Sequence, residues 1–164
     1  MADRIKLNKV SLREQKQKLA LFQRFLPALE ARKQQFLLQL GLVRSEIRER
    51  EEAMAALLAE MVPWSALIRD QEGLWRYFLE IREVRLSWHN IAGLKIPRFE
   101  GVDFHDPPYS FFATPYSFEI VLVALRKGLS LREEIRILHD QERVLAEGFR
   151  KTSQRINLYE QRLI

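Results

Sequence analysis

The fold is decided by residues 12–61, which read LREQKQKLALFQRFLPALEARKQQFLLQLGLVRSEIREREEAMAALLAEM. Of the eight residues found at every seventh position from Leu12, seven are apolar. A parallel row begins three residues later, at Gln15, and five of its seven residues are apolar. Apolar spacings of three and four over seven heptads are typical of a coiled-coil seam. We therefore predict a long helix over residues 1–62, whose seam contains Leu12, Leu19, Leu26, Leu40, Ile47 and Leu57.

A second stripe runs through residues 131–163, where eight of ten positions at spacings of four and three are apolar. It predicts a C-terminal helix over residues 115–164, started by a capping Thr114 and by Pro115 in its first turn. About fifty residues make a rod of roughly 75 Å. Two such stripes in one chain predict an antiparallel pair. The second seam contains Leu131, Ile135, Leu138, Leu145, Phe149 and Ile156.

Residues 63–114 differ in kind from both helices. From Arg82 to Asn90, apolar and polar residues alternate, and the period of two predicts a strand with Val84, Leu86 and Trp88 on its buried face. The alternation continues after Gly93, and we expect Pro97 to end it. The predicted fold is mainly α, a long antiparallel two-helix coiled coil with a small β-containing cap between the helices. We expect one elongated domain over residues 1–164.

Three residues disturb the first helix. Pro27 lies inside the heptad run, where proline costs about 3 kcal/mol and is expected to kink the helix. Pro63 is expected to end or bend the helix near Val62. Gly41 costs about 1 kcal/mol relative to alanine, and we expect it to mark the close approach of a partner.

Composition limits the classes of protein that fit. The 164 residues carry a net charge of +5 and contain no cysteine, which excludes disulfides and thiolate metal sites. Residues 1–40 hold nine Lys or Arg against three acids. Such an arm predicts an anionic partner, which could be nucleic acid, lipid headgroups or an acidic protein surface, or it is a solvated basic face. No run of eighteen apolar residues and no signal peptide is present, so we expect a cytoplasmic chain without membrane insertion.

No catalytic, cofactor or metal site is predicted. The six glycines never cluster into a phosphate-binding loop. His105 with Asp103 and Asp106 could imitate a metal site, but a solvated polar loop is the favoured interpretation. Neighbouring glutamates such as Glu133 and Glu134 diverge by about 100° on a helix and cannot act as a catalytic pair. The aromatic run at residues 109–118 lacks interleaved Lys or Arg, which favours packing or docking over base stacking.

Three stretches, in this order, resemble the D subunit of the vacuolar and archaeal-type (V-type) ATPases. The first is the basic, leucine-rich helix of residues 6–44. The second is HNIAGLKIPRFE at residues 89–100, similar to the family's Asn-Val-x-Gly-x-x-x-Pro segment. The third is RKTSQRINLYEQRLI at residues 150–164, similar to its Lys-x-Thr-x-x-Arg-Val-Asn-x-x-Glu signature. The matching positions are Asn90, Ile91, Gly93, Pro97, Lys151, Thr152, Arg155, Ile156, Asn157 and Glu160.

The resemblance implies the central stalk, or rotor shaft, of a rotary ATPase, without an active site of its own. Such a shaft stands in the hexameric head of catalytic A and B subunits, with the small F subunit of the stalk alongside. Its β-containing end points toward an adaptor subunit of the membrane rotor. It transmits torque between ATP hydrolysis or synthesis and proton or sodium transport. The resemblance therefore implies protein partners, and neither nucleic-acid binding nor direct membrane insertion.

This sequence departs from the family in part. Family members usually continue for several dozen residues beyond the position of Ile164, so we expect a C-terminal helix that is truncated. Pro27 and Trp64 are also unlike the usual pattern. Counting inward from the connector places Ile164 opposite roughly residue 12. The family layout instead leaves the first helix without a partner before about Leu40, and we favour this second register.

Two alternatives belong to other classes of protein. The first is the coiled-coil stalk protein of a flagellar or type III export ATPase, which should lack the β-containing cap, so residues 82–100 argue against it. The second is a basic coiled-coil nucleic-acid-binding protein. Binding that falls steeply with salt would support the nucleic-acid alternative, and a stable complex with the F subunit of a rotary ATPase would remove it.

Overall fold

The computed structural model describes residues 9–69, 72–110, 114 and 116–163. Helix α1 (Lys9–Met61) and helix α4 (Phe118–Leu163) are the two long elements. Between them lie a 3₁₀ turn (Val62–Trp64), short helices α2 (Ser65–Arg69) and α3 (Glu72–Phe78), and strands β1 (Ile81–Ile91) and β2 (Leu94–Phe104). The strands form an antiparallel two-stranded sheet. The predicted fold class, two long helices with a small β-containing element between them, is confirmed.

The first helix, predicted over residues 1–62, is described from Lys9 to Met61, and residues 1–8 lie outside the described part of the chain. It ends at Met61, and the 3₁₀ turn that follows carries Pro63 in its first positions, as the sequence indicates. The helix stays continuous through Pro27, which lies on its exposed side. Because proline removes one backbone donor, one carbonyl of the preceding turn loses its helical partner while the rest of the ladder holds.

The main core is the seam between α1 and α4. Its buried members include Phe36, Leu40, Val43 and Ile47 from α1, and Leu138 and Leu145 from α4. Burying one such side chain is worth about 1.5–3 kcal/mol relative to leaving it exposed. Spacings of three and four place these residues on one side of each helix, so α1 and α4 pair along this stripe.

The pairing register differs from the favoured prediction. Arg44 faces Glu142, and the rings of Phe22 and Tyr159 stack with centroids 4.8 Å apart. The expectation that α1 lacks a partner before about Leu40 is therefore wrong for residues 22–40. Counting outward from the stacked rings places the described end of α4 roughly level with residue 18. The register lies nearer to the other alternative, which set Ile164 opposite roughly residue 12.

The hairpin corrects two expectations about its strands. Pro97 does not end the strand, because β2 runs through it to Phe104, with Pro97 opposite Trp88. Both strands of a two-stranded sheet are edge strands, where a missing backbone donor is tolerated. Trp88 is 64 % exposed and Leu86 is 38 % exposed, so the predicted buried face is wrong for these two residues, whereas Val84, which precedes the register shift between Arg85 and Leu86, is half-buried. The opposite face packs on the helices instead, through Ile91, Leu94 and Ile96.

The hairpin lies alongside the coiled coil. At its base, the ring of Phe104 lies under the Arg126 guanidinium, 5.2 Å away. Near its turn, Leu94 meets the position where a Cβ on Gly148 would stand. The 22 residues of α4 between these two contacts span about 33 Å, and an eleven-residue strand spans about 36 Å. The near-equal lengths let the hairpin follow α4 from base to turn.

A second core, which the sequence analysis did not predict, lies at the end of the rod where the connector joins the two long helices. It contains Trp75, Phe78, Phe118, Val121 and Leu122. The indole of Trp75 stacks on Phe118 at 4.9 Å and donates a hydrogen bond to the Ile68 carbonyl. The sequence does contain a signal for this core. Before the first strand, Trp64 and Ile68 are four residues apart, and Trp75 is three and four residues from Phe78 and Leu79, which is the spacing of a helix with one apolar side.

The start of α4 also differs from its prediction. The helix begins at Phe118, and the Thr114 hydroxyl donates to the Ser110 carbonyl instead of capping the helix. Pro115, Phe111 and Phe112 lie outside the described residues. Tyr109, from the predicted aromatic run, packs against Phe78 and Phe118. That part of the run serves packing.

Candidate functional site

The seam residues proposed from the sequence divide into three groups by burial. Leu40, Ile47, Leu57, Leu138, Leu145 and Ile156 are buried. Leu26, Leu131, Ile135 and Phe149 are half-buried at its margins. Leu12 and Leu19 are 58 % and 39 % exposed, because they lie at or beyond the level where the described part of α4 ends. Within the described chain, the buried part of the seam on α1 extends from Leu57 to Phe36, half-buried residues continue it to about Phe22, and the stripe beyond is exposed.

Polar residues on the seam are partnered across the two helices. Arg50 donates to Glu134 at 2.7 Å, and Arg44 donates to Glu142 at 2.6 Å. The Lys33 ammonium lies 5.9 Å from the centroid of the Phe149 ring. Exposed ion pairs of this kind contribute about 0–1 kcal/mol each. Sliding one helix by a turn would break both Arg–Glu pairs at once, so these pairs specify the register.

The tightest part of the seam lies under the hairpin. Phe36 has no exposed surface, and its ring lies 3.3 Å from the point where a Cβ on Gly148 would stand. Leu94 of the hairpin meets the same point. Gly148 is therefore a position at which α1, α4 and the hairpin approach one another closely. A side chain there would have to displace either the hairpin or a fully buried ring.

The Asn-Ile-x-Gly-x-x-x-Pro segment shapes the hairpin turn. The Asn90 side-chain carbonyl accepts a hydrogen bond from the Gly93 amide at 2.9 Å. Ala92 and Gly93 have φ values of 50° and 83°, and positive φ at both central residues is the pattern of a type I′ turn. Glycine meets this requirement at no steric cost, whereas Ala92 adopts it with strain. Asn90 and Gly93 therefore set the turn that brings Leu94 against Gly148.

The second motif lies on the last turns of α4. Thr152 is buried at the seam beside Ile156, whereas Arg155, Asn157 and Glu160 are exposed. Lys151 donates to Glu147 one turn earlier at 2.7 Å. This hydrogen bond, with the positive charge beside it, holds the pKa of the Glu147 carboxyl below its ordinary value of 4.5. Thr152 and Ile156 of this motif have packing roles, and its charged and amide groups face solvent.

Arg126 joins the second core to the base of the hairpin, a role that the sequence did not reveal. Its guanidinium donates to the Phe78 carbonyl at 3.1 Å and to the His105 carbonyl at 2.9 Å, and pairs with Asp106. Nearby, the Tyr109 hydroxyl donates to the Glu119 carboxylate, which raises the pKa of the phenol above 10.0. These bonds attach the end of α3 and the end of β2 to the first turns of α4.

Several acidic and histidine side chains on α4 have structural partners. Glu133 is buried and paired with Arg132 and Arg136, whereas its neighbour Glu134 reaches Arg50 on the other helix. His139 lies 3.8 Å from Glu51 and 3.8 Å from Glu142, through different ring nitrogens. Among the residues that the structure describes, no group of three His, Asp or Glu side chains is placed to hold a metal ion.

Neither long helix has the character of a membrane span. Over residues 9–69, 72–110, 114 and 116–163, no helix combines the length and the apolar character needed to cross a bilayer.

Two long helices, held in register by a seam and by cross-helix ion pairs with a hairpin against their side, define a coiled-coil stalk protein. The chain belongs to the ATP synthase D subunit family, whose model matches residues 11–164. It is a stalk subunit of a rotary ATPase.

Individual relatives agree with the family assignment. The V-type ATP synthase D subunit of Borreliella burgdorferi is 29 % identical over 161 residues, covering 98 % of this chain and 79 % of the relative. The same subunit of Chlamydia muridarum is 30 % identical over 173 residues, covering 100 % of this chain and 82 % of the relative. That of Chlamydia caviae is 27 % identical over 173 residues, with 100 % and 80 % covered.

Proposed function

We propose that this chain is the non-catalytic rotor shaft of a V-type ATPase, one elongated unit that carries torque between its ends. The observation that supports the proposal most is the buried seam from Phe36 to Leu57 with its cross-helix pairs Arg44–Glu142 and Arg50–Glu134. A shaft transmits torque only if its two helices resist sliding past one another. Burial of the seam and the specified register supply that resistance.

The proposed partners follow from the same layout. The A and B subunits of the catalytic head surround the open end of α1, where Leu12 and Leu19 are exposed among Arg13, Lys16 and Lys18. The small F subunit binds alongside the coiled coil, and an adaptor of the membrane rotor meets the end formed by the second core. The complex holds this chain on the cytoplasmic side, peripheral to the membrane.

Coupling in the assembled complex tests the proposal. The full set of ATPase subunits is purified with this chain as wild type or as Leu145→Ala, reconstituted into vesicles, and assayed for ATP hydrolysis and ion pumping. Leu145 has no exposed surface, and truncation of such a residue typically costs about 2–5 kcal/mol. We expect the ratio of ions pumped to ATP hydrolysed to fall while the complex still hydrolyses ATP.

The matched control is Leu158→Ala, since Leu158 lies on the same helix and is exposed. This variant should leave the coupling ratio unchanged. The isolated chain should hydrolyse no ATP above a heat-treated control. Failure of the chain to enter the complex, or ATP turnover that persists in the isolated chain through further purification, would refute the proposal.

A further inference from the structure

A second row of residues at spacings of four and three runs along α1, on the side away from the seam, and we call it the outer row. At 3.6 residues per turn, such spacings keep its members on one side of the helix. All are exposed except Ser45, which is half-buried, and Leu38 and Leu42 are 62 % and 52 % exposed. The outer row consists of Arg24, Ala28, Ala31, Gln35, Leu38, Leu42, Ser45 and Glu49. It is therefore a heptad stripe that no element of the described chain covers.

The outer row carries charge only at its two ends. Its six members from Ala28 to Ser45 span about 25 Å of helix without a charged side chain, in a chain of which 30 % is charged. Arg24 at one end and Glu49 at the other form no ion pair with any described residue. The neighbouring Gly41 has open space where its Cβ would stand, with nothing within 4 Å. A second helix can therefore approach this side of α1 closely, and each end of the row offers it one unpaired charge.

The outer row is complementary to itself when it is turned end for end. An antiparallel second copy, related by a two-fold axis midway between Arg24 and Glu49, brings each of these two residues opposite the other one of the second copy. The same alignment sets the large side chain of each leucine against a smaller or more flexible one. Its inner pairs are Leu42 with Ala31, Leu38 with Gln35, and Ser45 with Ala28. Large side chains facing small ones allow two helices to interdigitate, as in knobs-into-holes packing.

The charges beyond the outer row favour the same antiparallel alignment. It places residues 9–24 of one copy beside residues 49–64 of the other. Residues 9–24 contain five Lys or Arg and one Glu, whereas residues 49–64 contain four Glu and one Arg. Opposite charges therefore meet at both ends of the pair, and a parallel pair would instead set like charges side by side. The acidic protein surface that the basic arm predicts is present on the same helix of a second copy.

We propose that, outside the assembled complex, two copies of this chain pair antiparallel through the outer rows of their α1 helices. A helix of any other protein would need an acid at one end, a base at the other and small residues opposite Leu38 and Leu42, and the outer row itself supplies all three. The pairing buries one face of a single helix per copy, which is a small interface, so the dimer forms at micromolar concentrations and not below. The open space at Gly41 admits the close approach that the sequence predicts there. The inference goes beyond the proposed function and does not depend on it.

Sedimentation equilibrium of the purified full chain tests the inference. We expect a reversible monomer–dimer equilibrium for the wild type, and a monomer at every concentration for Leu38→Glu, which buries a carboxylate at the centre of the interface. The matched control is Leu37→Glu, since Leu37 is the preceding residue and is 54 % exposed but lies outside the outer row. The control should dimerise like the wild type. Circular dichroism checks that each variant keeps its helices.

Disulfide trapping determines the orientation of the pair. The chain contains no cysteine, so introduced thiols are the only ones present. A tagged Ala31→Cys chain is mixed with an untagged Leu42→Cys chain and oxidised in a glutathione buffer. The antiparallel alignment predicts a disulfide between the tagged and the untagged chain, because the two positions face each other. Replacing Leu42→Cys by Leu37→Cys should abolish it.

Charge reversal at the ends of the row supplies an independent comparison. Arg24→Glu should weaken dimerisation by about tenfold, because it replaces two attractive contacts of the dimer with two repulsive ones. Adding Glu49→Arg to the same chain should restore it, since the exchange returns opposite charges to both ends. Arg82→Glu is the control, because Arg82 is exposed on β1, away from α1, and should leave dimerisation unchanged.

Several outcomes would overturn the inference. These are a wild-type chain that stays monomeric, a dimer that Leu38→Glu leaves intact, disulfides that form only between identical positions, and a double charge reversal that does not restore pairing. A chain that enters the ATPase and couples normally, but gives one of these results alone in solution, would refute the pairing and leave the proposed function standing. Failure of the wild-type chain to enter the complex would instead refute the proposed function and leave the pairing untouched.

Discussion

The contribution of the seam to the free energy of unfolding can be measured by comparing two phenylalanines on the same helix. Phe36 has no exposed surface and lies beneath the hairpin, whereas Phe25 is 49 % exposed. Truncating a fully buried Phe to Ala costs about 3–5 kcal/mol, through lost transfer energy and the cavity left behind. Phe25 loses only part of the transfer energy and leaves no enclosed cavity. We therefore expect Phe36→Ala to cost about 3–5 kcal/mol and Phe25→Ala less than about 1 kcal/mol.

These changes are large relative to the net stability of a domain, which is typically about 5–15 kcal/mol. At roughly 2–4 °C per kcal/mol for a chain of this size, Phe36→Ala should lower Tm by about 6–20 °C. The assay is urea and thermal unfolding of both variants, followed by circular dichroism at 222 nm. Hydrogen exchange should also rise in β2 of the Phe36 variant, because the cavity opens beneath Leu94.

A result in which both variants lose the same stability would refute this argument, since it would mean that Phe36 is not more deeply packed than Phe25. Loss of stability in the Phe36 variant without faster exchange in β2 would contradict the narrower claim that Phe36 supports the hairpin. An unchanged m-value would show that both variants unfold from the same extent of structure.

The open end of α1, the hairpin turn and the Glu147–Lys151 pair each give a further prediction. Leu19→Ala should change Tm little, because the side chain is not covered by α4, and strong hydrogen-exchange protection of residues 9–19 in a proven monomer would contradict this. Ala92→Gly should stabilise the hairpin and Gly93→Ala should destabilise it, each by about 1–2 kcal/mol, because both positions have positive φ; chemical denaturation measures both. The Glu147 carboxyl should titrate below 4.5 by NMR, and Lys151→Met should raise its pKa toward that value. Because the folded pKa is depressed, this pair contributes stability above about pH 4.5 that is lost as the pH falls through the folded pKa.

Much of the candidate site could be predicted from the sequence, because the spacing of apolar residues indicates which side of a helix is buried. The heptad rows predicted that Leu40, Ile47 and Leu145 lie on the sides by which the helices pair. The alternation at residues 82–96 predicted strands. It indicated the wrong face, because Trp88 and Leu86 alternate as regularly as the residues that contact the helices. A period of two identifies two faces and does not say which one is covered.

The sequence by itself determined two long helices, a β-containing element between them and the family to which the chain belongs. Each depends on local spacing or on short motifs such as the segment from Asn90 to Pro97. Only the tertiary structure decided the register between α1 and α4 and the position of the hairpin beside Gly148. A heptad stripe looks the same after a shift of seven residues, so periodicity alone leaves the register open. Contacts between residues distant in sequence, such as Arg44 with Glu142 and Phe36 with Gly148, remove that ambiguity.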